Sequence, residues 1–302
     1  MKTLIAIIGP TGIGKTDLGV YLAQKLETEI ISSDSRQFYR ELKIGTAVPS
    51  EKELAAAKHH FIGNLSIHDY YNASTFEFEV IDLLNELFHT KNQVLMVGGS
   101  GMYIDAVCKG IDDLPEIDPE IRTQLEQKYQ NEGIESLRFE LKKLDPEYYN
   151  VVDLRNPKRI LKGLEICLMT GRTYTSFRTS IKKERDFKIL KIGLTQVREK
   201  LYHIIDKRVD KMVESGLIDE AREFYASRHL NSLNTVGYKE LFAYFDGEYN
   251  LEKAIELIKR NSRRYAKRQL SWFNRDKEII WFEPSQKEEI EKFIVENLKT
   301  DK

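Results

Sequence analysis

Apolar residues from Leu4 to Ile8 form an unbroken run that stops at Gly9-Pro10. A run of that length without polar alternation predicts a strand covered on both faces, as in a parallel sheet. Beyond the glycines, Leu18, Tyr21, Leu22 and Leu26 recur at helical spacing, and Glu29 to Ser33 reads as a second short strand ending at Asp34. Strand, loop, helix and strand make a βαβ unit. Val80 to Phe88 then reads as helix and Gln93 to Val97 as a third strand, which runs into Gly98-Gly99-Ser100-Gly101. Such alternation predicts an α/β fold built on an open, doubly wound parallel sheet with flanking helices.

The texture changes at Asp112-Asp113-Leu114-Pro115. From there to about Lys183 no strand pattern is visible, only helical segments punctuated by Asp118-Pro119, Asp145-Pro146, Asn156-Pro157 and Gly171. Phe187 to Leu194 returns to a strand-like run. Helices follow it, carrying Leu201, Ile205 and Met212, then Ala254, Ile258 and Tyr265, and the chain closes with Glu278 to Phe282 and a helix to Leu298. The expected division is a core of residues 1–114 and 186–302 interrupted by a helical insertion domain at 115–185.

Composition narrows the function classes. The 302 residues carry 47 Lys and Arg against 48 Asp and Glu, so any nucleic-acid binding must arise from local clustering and not from net charge. A hydrophobic content of 41% with 31% charged residues is that of a folded protein. Cys108 and Cys167 each sit in an apolar segment and read as small hydrophobes. The run after Met1-Lys2-Thr3 is too short for a signal peptide, and nothing approaches the ~20 apolar residues of a membrane span. A cytoplasmic protein that binds no membrane is expected.

Gly9-Pro10-Thr11-Gly12-Ile13-Gly14-Lys15-Thr16 fits G-x-x-x-x-G-K-[ST] at every fixed position and lies between a predicted strand and a predicted helix, the context the motif requires. Backbone N–H groups of Gly9, Thr11, Gly12, Ile13 and Gly14, the positive end of the following helix, and the Lys15 ammonium can grip a diphosphate. The Thr16 hydroxyl is the candidate ligand for Mg²⁺. A P-loop NTPase-like core follows, but not its ligand. An NTPase normally places an acid at the end of a later apolar strand. Here Gln93 to Val97 ends in glycines and Ser100, which weakens an ATPase or small-molecule kinase and leaves it open.

The residues resemble the tRNA dimethylallyltransferases, also called tRNA isopentenyltransferases, over nearly the whole chain. The loop at 9–16, SSDSRQFY at 32–39, KIGTAVPS at 43–50, VGGSGMYIDAV at 97–107 and DPEIR at 118–122 stand in that family's order. So do PKRILKGLE at 157–165, RVDKMVESGLIDE at 208–220, VGYKE at 236–240 and RRYAKRQLSWF at 263–273. The resemblance implies transfer of a dimethylallyl group from dimethylallyl diphosphate to the exocyclic amine of the adenosine 3′-adjacent to a tRNA anticodon. The diphosphate in the loop is then a leaving group.

Departure of that group gathers negative charge on the diphosphate, so the rate depends on donors aimed there. Arg208, at i+3 from Ile205 and i−4 from Met212, is the candidate additional cation, with a structural ion pair as the competing role. Asp34 sits where open α/β sheets bind ligands, and the resemblance makes it the base for the adenine amine. With a reference pKa of about 3.9, an aspartate accepts that proton only as the new C–N bond makes the nitrogen ammonium-like. Mg²⁺ ligand or helix cap are its other readings. Ser100, the third candidate catalytic residue, replaces the family's usual Thr and keeps the hydroxyl.

Ala254 to Phe273, placed on one helix, puts Lys259, Arg260, Arg263, Arg264, Lys267 and Arg268 on one half of the wheel and Ala254, Ile258, Tyr265 and Trp272 on the other. This half lacks interleaved acids and reads as a footprint for a phosphate backbone. By the family pattern, tRNA contacts are expected from Asp34, Ser35, Arg36, Gln37, Ser100, Arg122, Lys158, Arg159, Ile160, Leu161 and Lys162. Asn234, Thr235, Val236, Gly237, Tyr238 and Lys239 join them, together with Arg264, Lys267 and Arg268 of the basic helix. Lys162-Gly163 departs from the family's more frequent Arg-Ala, and Gly inside a helix costs about 1 kcal/mol relative to Ala. No Cys/His set for zinc is present, and a monomer is the default. A non-catalytic RNA-binding protein is the remaining alternative.

Overall fold

The computed structural model describes residues 1–112, 114–115, 118–179 and 182–299; Asp113, where the sequence texture changes, lies outside them. Two compact units are present, one of residues 1–108 and 184–302 and one of residues 109–183.

The first unit is built on a six-stranded sheet. Its strands are β1 (Thr3–Ile8), β2 (Ile30–Ser32), β3 (His59–His60), β4 (Gln93–Gly98), β5 (Lys188–Leu194) and β6 (Ile280–Phe282). Their order is β3-β2-β4-β1-β5-β6, with every pairing parallel. All six residues of β1 are buried, as its unbroken apolar run requires. Ile8 of β1 stands level with Gly98 of β4. The chain leaving β1 travels past β4 to β2, whereas the chain leaving β4 returns past β1 to β5. Adjacent strands whose connections run in opposite directions define a topological switch point, and the crevice beyond their carboxyl ends is where such sheets bind ligands.

Helices α1 (Lys15–Lys25), α2 (Glu51–Ala56), α3 (Ala73–Leu87) and α4 (Gly101–Lys109) accompany the first four strands. Leu18, Leu22 and Ala23 of α1 join Ile5, Ile7, Leu95 and Ile192 in the sheet's core. At these helix starts, α2 is closed by a Ser50–Glu53 capping box and α3 by Asn72, but α1 begins at Gly14 in the left-handed region with no side-chain cap. First-turn N–H groups without a side-chain cap are of the kind that can receive an anion.

The second unit contains α5 (Pro119–Glu132), α6 (Ile134–Leu144), α7 (Pro146–Val151) and α8 (Pro157–Thr170). Each of α5, α7 and α8 has Pro in its first turn behind an Asp or Asn cap, so the Asp-Pro and Asn-Pro punctuation does mark helix starts. Leu125, Leu137, Leu141, Tyr148, Ile160 and Leu164 form its core. Gly163 has a packing reason: a Cβ there would lie 2.8 Å from the Tyr148 ring.

After β5 the first unit resumes with α9 (Arg198–Glu214), α10 (Leu217–Glu223), α11 (Tyr238–Phe245), α12 (Leu251–Phe273) and α13 (Lys287–Lys299). The Glu220 carboxylate accepts the N–H groups of Lys43, Ile44 and Gly45 and the Tyr238 hydroxyl, which fixes the 43–46 segment at the edge of the crevice. Among the described residues no helix is long and apolar enough to cross a membrane.

Candidate active site

A cleft of about 460 Å³ opens at the crevice. Thr11, Asp34, Arg36, Arg208, Asn234, Arg264, Tyr265 and Arg268 are among its lining residues, all from the first unit.

On one side the glycine turn reaches the cleft through Thr11, and its remaining residues lie behind that lining. Gly9, Gly12 and Gly14 all have positive φ, which lets the backbone fold inward at a small fraction of the strain another residue would carry. A Cβ on Gly9 would meet the Leu194 carbonyl at 2.8 Å. Ile13 is buried in the sheet core and contributes to the turn through its backbone. The Lys15 ammonium donates to the Pro10 carbonyl at 2.8 Å. Burial pushes its pKa down to about 7, against the pull of Asp34 and with the push of Arg208. Arg208 faces inward as the helical spacing predicts and donates to the Thr11 hydroxyl at 2.7 Å. Burial lowers its pKa too, with Asp34 working in the opposite direction. No carboxylate lies within ion-pair distance of Lys15 or Arg208 among the described residues, which removes the structural ion pair as the reason for Arg208. Two cations with no carboxylate at ion-pair distance suit an anionic ligand.

The facing wall is assembled from distant segments. Ser33 N–H bonds the Val97 carbonyl at 2.9 Å and Ser100 N–H the Ser33 carbonyl at 3.3 Å, so the ends of β2 and β4 are stitched together. The Ser100 hydroxyl accepts from the Ser35 N–H at 2.9 Å and is bonded to the Ser35 hydroxyl at 3.2 Å. Asp34 accepts the Arg36 N–H at 3.0 Å through one oxygen, which orients its carboxyl group. Burial, followed by the charge of Asp34, pushes the Tyr265 phenol up to about 12. The wheel assigns Tyr265 to the apolar side of its helix; it lines the cleft.

Several expected tRNA contacts meet a physical objection. Ile160 and Tyr238 are fully buried in the cores of their units, so their side chains are closed to an RNA. The Gln37 carboxamide is also buried, accepting from Ser32 at 3.2 Å and donating to the Thr46 and Ala47 carbonyls at 3.3 and 3.0 Å; it builds the loop and does not face a base. Arg36 donates to the Asn231 and Ser232 carbonyls at 2.9 and 3.1 Å and still lines the cleft. Ser35, Asn234, Thr235, Val236 and Gly237 line it as well, and Lys239 is an exposed residue at its edge. In the second unit, Arg122 forms a bidentate pair with Glu165 at 2.7 and 3.1 Å, Lys158 and Arg159 are exposed, and Leu161 and Lys162 are half-buried.

The basic face of α12 divides. Lys259 pairs with Asp210 and Arg263 with Asp206, both acids of α9, so the missing acids come from another helix. Arg264, Lys267 and Arg268 are exposed and have no ion pair among the described residues. Gln269, which the sequence does not single out, donates to the Gly99 carbonyl at 2.9 Å and accepts the Thr11 N–H at 2.8 Å.

Fold and site together define an α/β protein of the P-loop type with Arg208 and Asp34 lining one cleft. The family model described as IPP transferase matches residues 37–276, and the chain belongs to that family. It is 57% identical over 298 residues to tRNA dimethylallyltransferase 1 of Bacteroides fragilis, covering 99% of each chain. The tRNA isopentenylpyrophosphate transferase of Bacillus halodurans superposes with a TM-score of 0.73 at 36% identity, covering 99% of this chain and 98% of that one. A eukaryotic dimethylallyltransferase acting on tRNA superposes with a TM-score of 0.74 at 26% identity, over 90% of this chain and 70% of that one.

Proposed function

We propose that this enzyme transfers the dimethylallyl group of dimethylallyl diphosphate to the exocyclic amine of the adenosine 3′-adjacent to the anticodon in tRNA. The observation that carries the reading is a pair of cations, Lys15 and Arg208, at a glycine turn, with no carboxylate at ion-pair distance among the described residues and the charge of Asp34 acting on both. As the allylic C–O bond breaks, the electron pair leaves on the diphosphate, whose growing charge the turn amides, Lys15 and Arg208 stabilise. The amine nitrogen forms the new C–N bond, and its surplus proton passes to Asp34.

Mg²⁺ suits this site. Among the described residues no group of three carboxylates, histidines or cysteines could hold a metal alone, and Mg²⁺ is commonly held through a substrate's phosphates with few protein ligands. Thr16, at the start of α1, would supply its hydroxyl; the ion would neutralise charge on the diphosphate. Arg264, Lys267 and Arg268 provide unpaired positive charge for the anticodon stem-loop. The target base must leave its stack to reach Asp34. The helical unit at 109–183 is assigned to further RNA contacts through Lys158, Arg159 and Lys162.

The test incubates the protein and Mg²⁺ with unmodified tRNA and either labelled dimethylallyl diphosphate or labelled ATP. Prenyl label appearing in the RNA is the expected result. Phosphate release from ATP without prenyl transfer would replace this reading with a kinase or ATPase, and tRNA binding with neither reaction would leave an RNA-binding protein.

A further inference from the structure

Gln269 is 6% exposed, and its carboxamide is used at both ends. One end accepts from Thr11, just beyond β1; the other donates to Gly99, just beyond β4. These are the two strands that flank the switch point. One side chain of α12 therefore spans the crevice floor and ties its rims together. The fit is specific: a Cβ on Gly99 would stand 2.3 Å from the Gln269 amide nitrogen, so the approach requires glycine there. Each rim continues into the chemistry, because the Thr11 hydroxyl accepts from Arg208 and Ser100, next to Gly99, accepts from Ser35 beside Asp34.

We propose that Gln269 is a positioning residue for the transfer, setting the spacing between the diphosphate rim and the amine rim; this role rests on the prenyl-transfer reading. Displacement at carbon needs the reacting atoms about 3–3.5 Å apart and aligned, and a misplacement of about 1 Å can cost on the order of a hundredfold in rate. Each rim keeps its own ligand contacts when the tie is lost. Alignment suffers more than binding.

The test uses the full chain with Mg²⁺, an unmodified anticodon stem-loop and labelled dimethylallyl diphosphate, comparing wild type with Gln269→Met and Gln269→Glu. Gln269→Met is expected to lower kcat about 30- to 100-fold while the KM of each substrate and the calorimetric Kd of inorganic pyrophosphate stay within about threefold. Gln269→Glu keeps the acceptor for Thr11 and, when ionised, loses the donor to Gly99. Its kcat relative to wild type should be low at neutral pH and recover as the pH falls and the carboxyl regains a proton, a signature that simple packing does not produce. This second variant carries the test if Gln269→Met does not fold. Wild-type kcat in either variant at neutral pH, or pyrophosphate binding lost in step with kcat, overturns the role. An inactive wild type would remove the prenyl-transfer reading and this role with it, whereas an active wild type beside fully active variants removes this role alone.

Discussion

The two walls of the cleft are made by opposite strategies. The glycine turn is a contiguous stretch, residues 9–16, whose amides and lysine come from one strand-to-helix junction, with Arg208 added from α9. The facing wall draws Asp34 and Ser35 from the end of β2, Ser100 from the end of β4 and Tyr265 from α12. The first wall holds positive charge with no ion pair among the described residues; the second holds an acid and two serine hydroxyls bonded to one another. On the proposed function the contrast divides the labour of the reaction: anion capture falls to amides and cations in one tight turn, and guiding a base to a cavity assembled from several elements.

That division can be broken by substitutions on each side. The largest effect is expected at Asp34. Asp34→Asn should reduce prenyl transfer about 10³-fold with the donor KM and tRNA binding little changed, measured by steady-state kinetics and filter binding; loss of diphosphate binding instead would put Asp34 on the other wall. Arg208→Ala should lower turnover about 10²-fold and also weaken inorganic pyrophosphate binding by calorimetry, an outcome that distinguishes an anion clamp from a tRNA contact.

A smaller effect is expected from pH. In the ligand-free protein the Lys15 ammonium, ordinarily charged to about pH 10, loses its proton near pH 7. Between pH 6 and 8 its charged fraction falls from about nine-tenths to about one-tenth, so pyrophosphate affinity should fall about tenfold, with net proton uptake on binding near pH 8. The same depression implies that ligand-free stability gains as pH rises above 7, because the folded protein no longer confines that charge. Calorimetry in buffers of different ionisation enthalpy checks the uptake, and pH-independent affinity would contradict it.

The smallest effect separates the two halves of the α12 face. Lys267→Ala should weaken stem-loop binding a few-fold and reduce the salt dependence by about one charge, whereas Lys259→Ala, which breaks a pair with Asp210, should leave the salt slope nearly unchanged. Equal slopes would mean that the ion pairs open on binding.

What the sequence made legible follows the same contrast. The turn, the strand before it, the inward Arg208 and the helical character of the insertion all rest on local spacing, and local spacing is visible in one chain. Gln269 was not legible: a glutamine within a basic run carries no periodicity signal, and its partners Thr11 and Gly99 lie far away in sequence. A wheel places Tyr265 on the apolar side because it reports angle and not the neighbour that a side chain meets. The same limit conceals Asp206 and Asp210, which pair with two of the six cations of a stripe that looks uniformly basic on its own helix. Gln37 and Tyr238 lie within the expected motifs, yet they support loops instead of facing the ligand.

The most direct test of the two-wall account is a crystal structure with a non-reactive thio analogue of dimethylallyl diphosphate and an unmodified anticodon stem-loop. The account predicts the diphosphate against residues 9–16 and Arg208, an unstacked adenine with its amine hydrogen-bonded to Asp34, and the allylic carbon between them. A diphosphate bound away from the turn, or an adenine amine out of reach of Asp34, would contradict it.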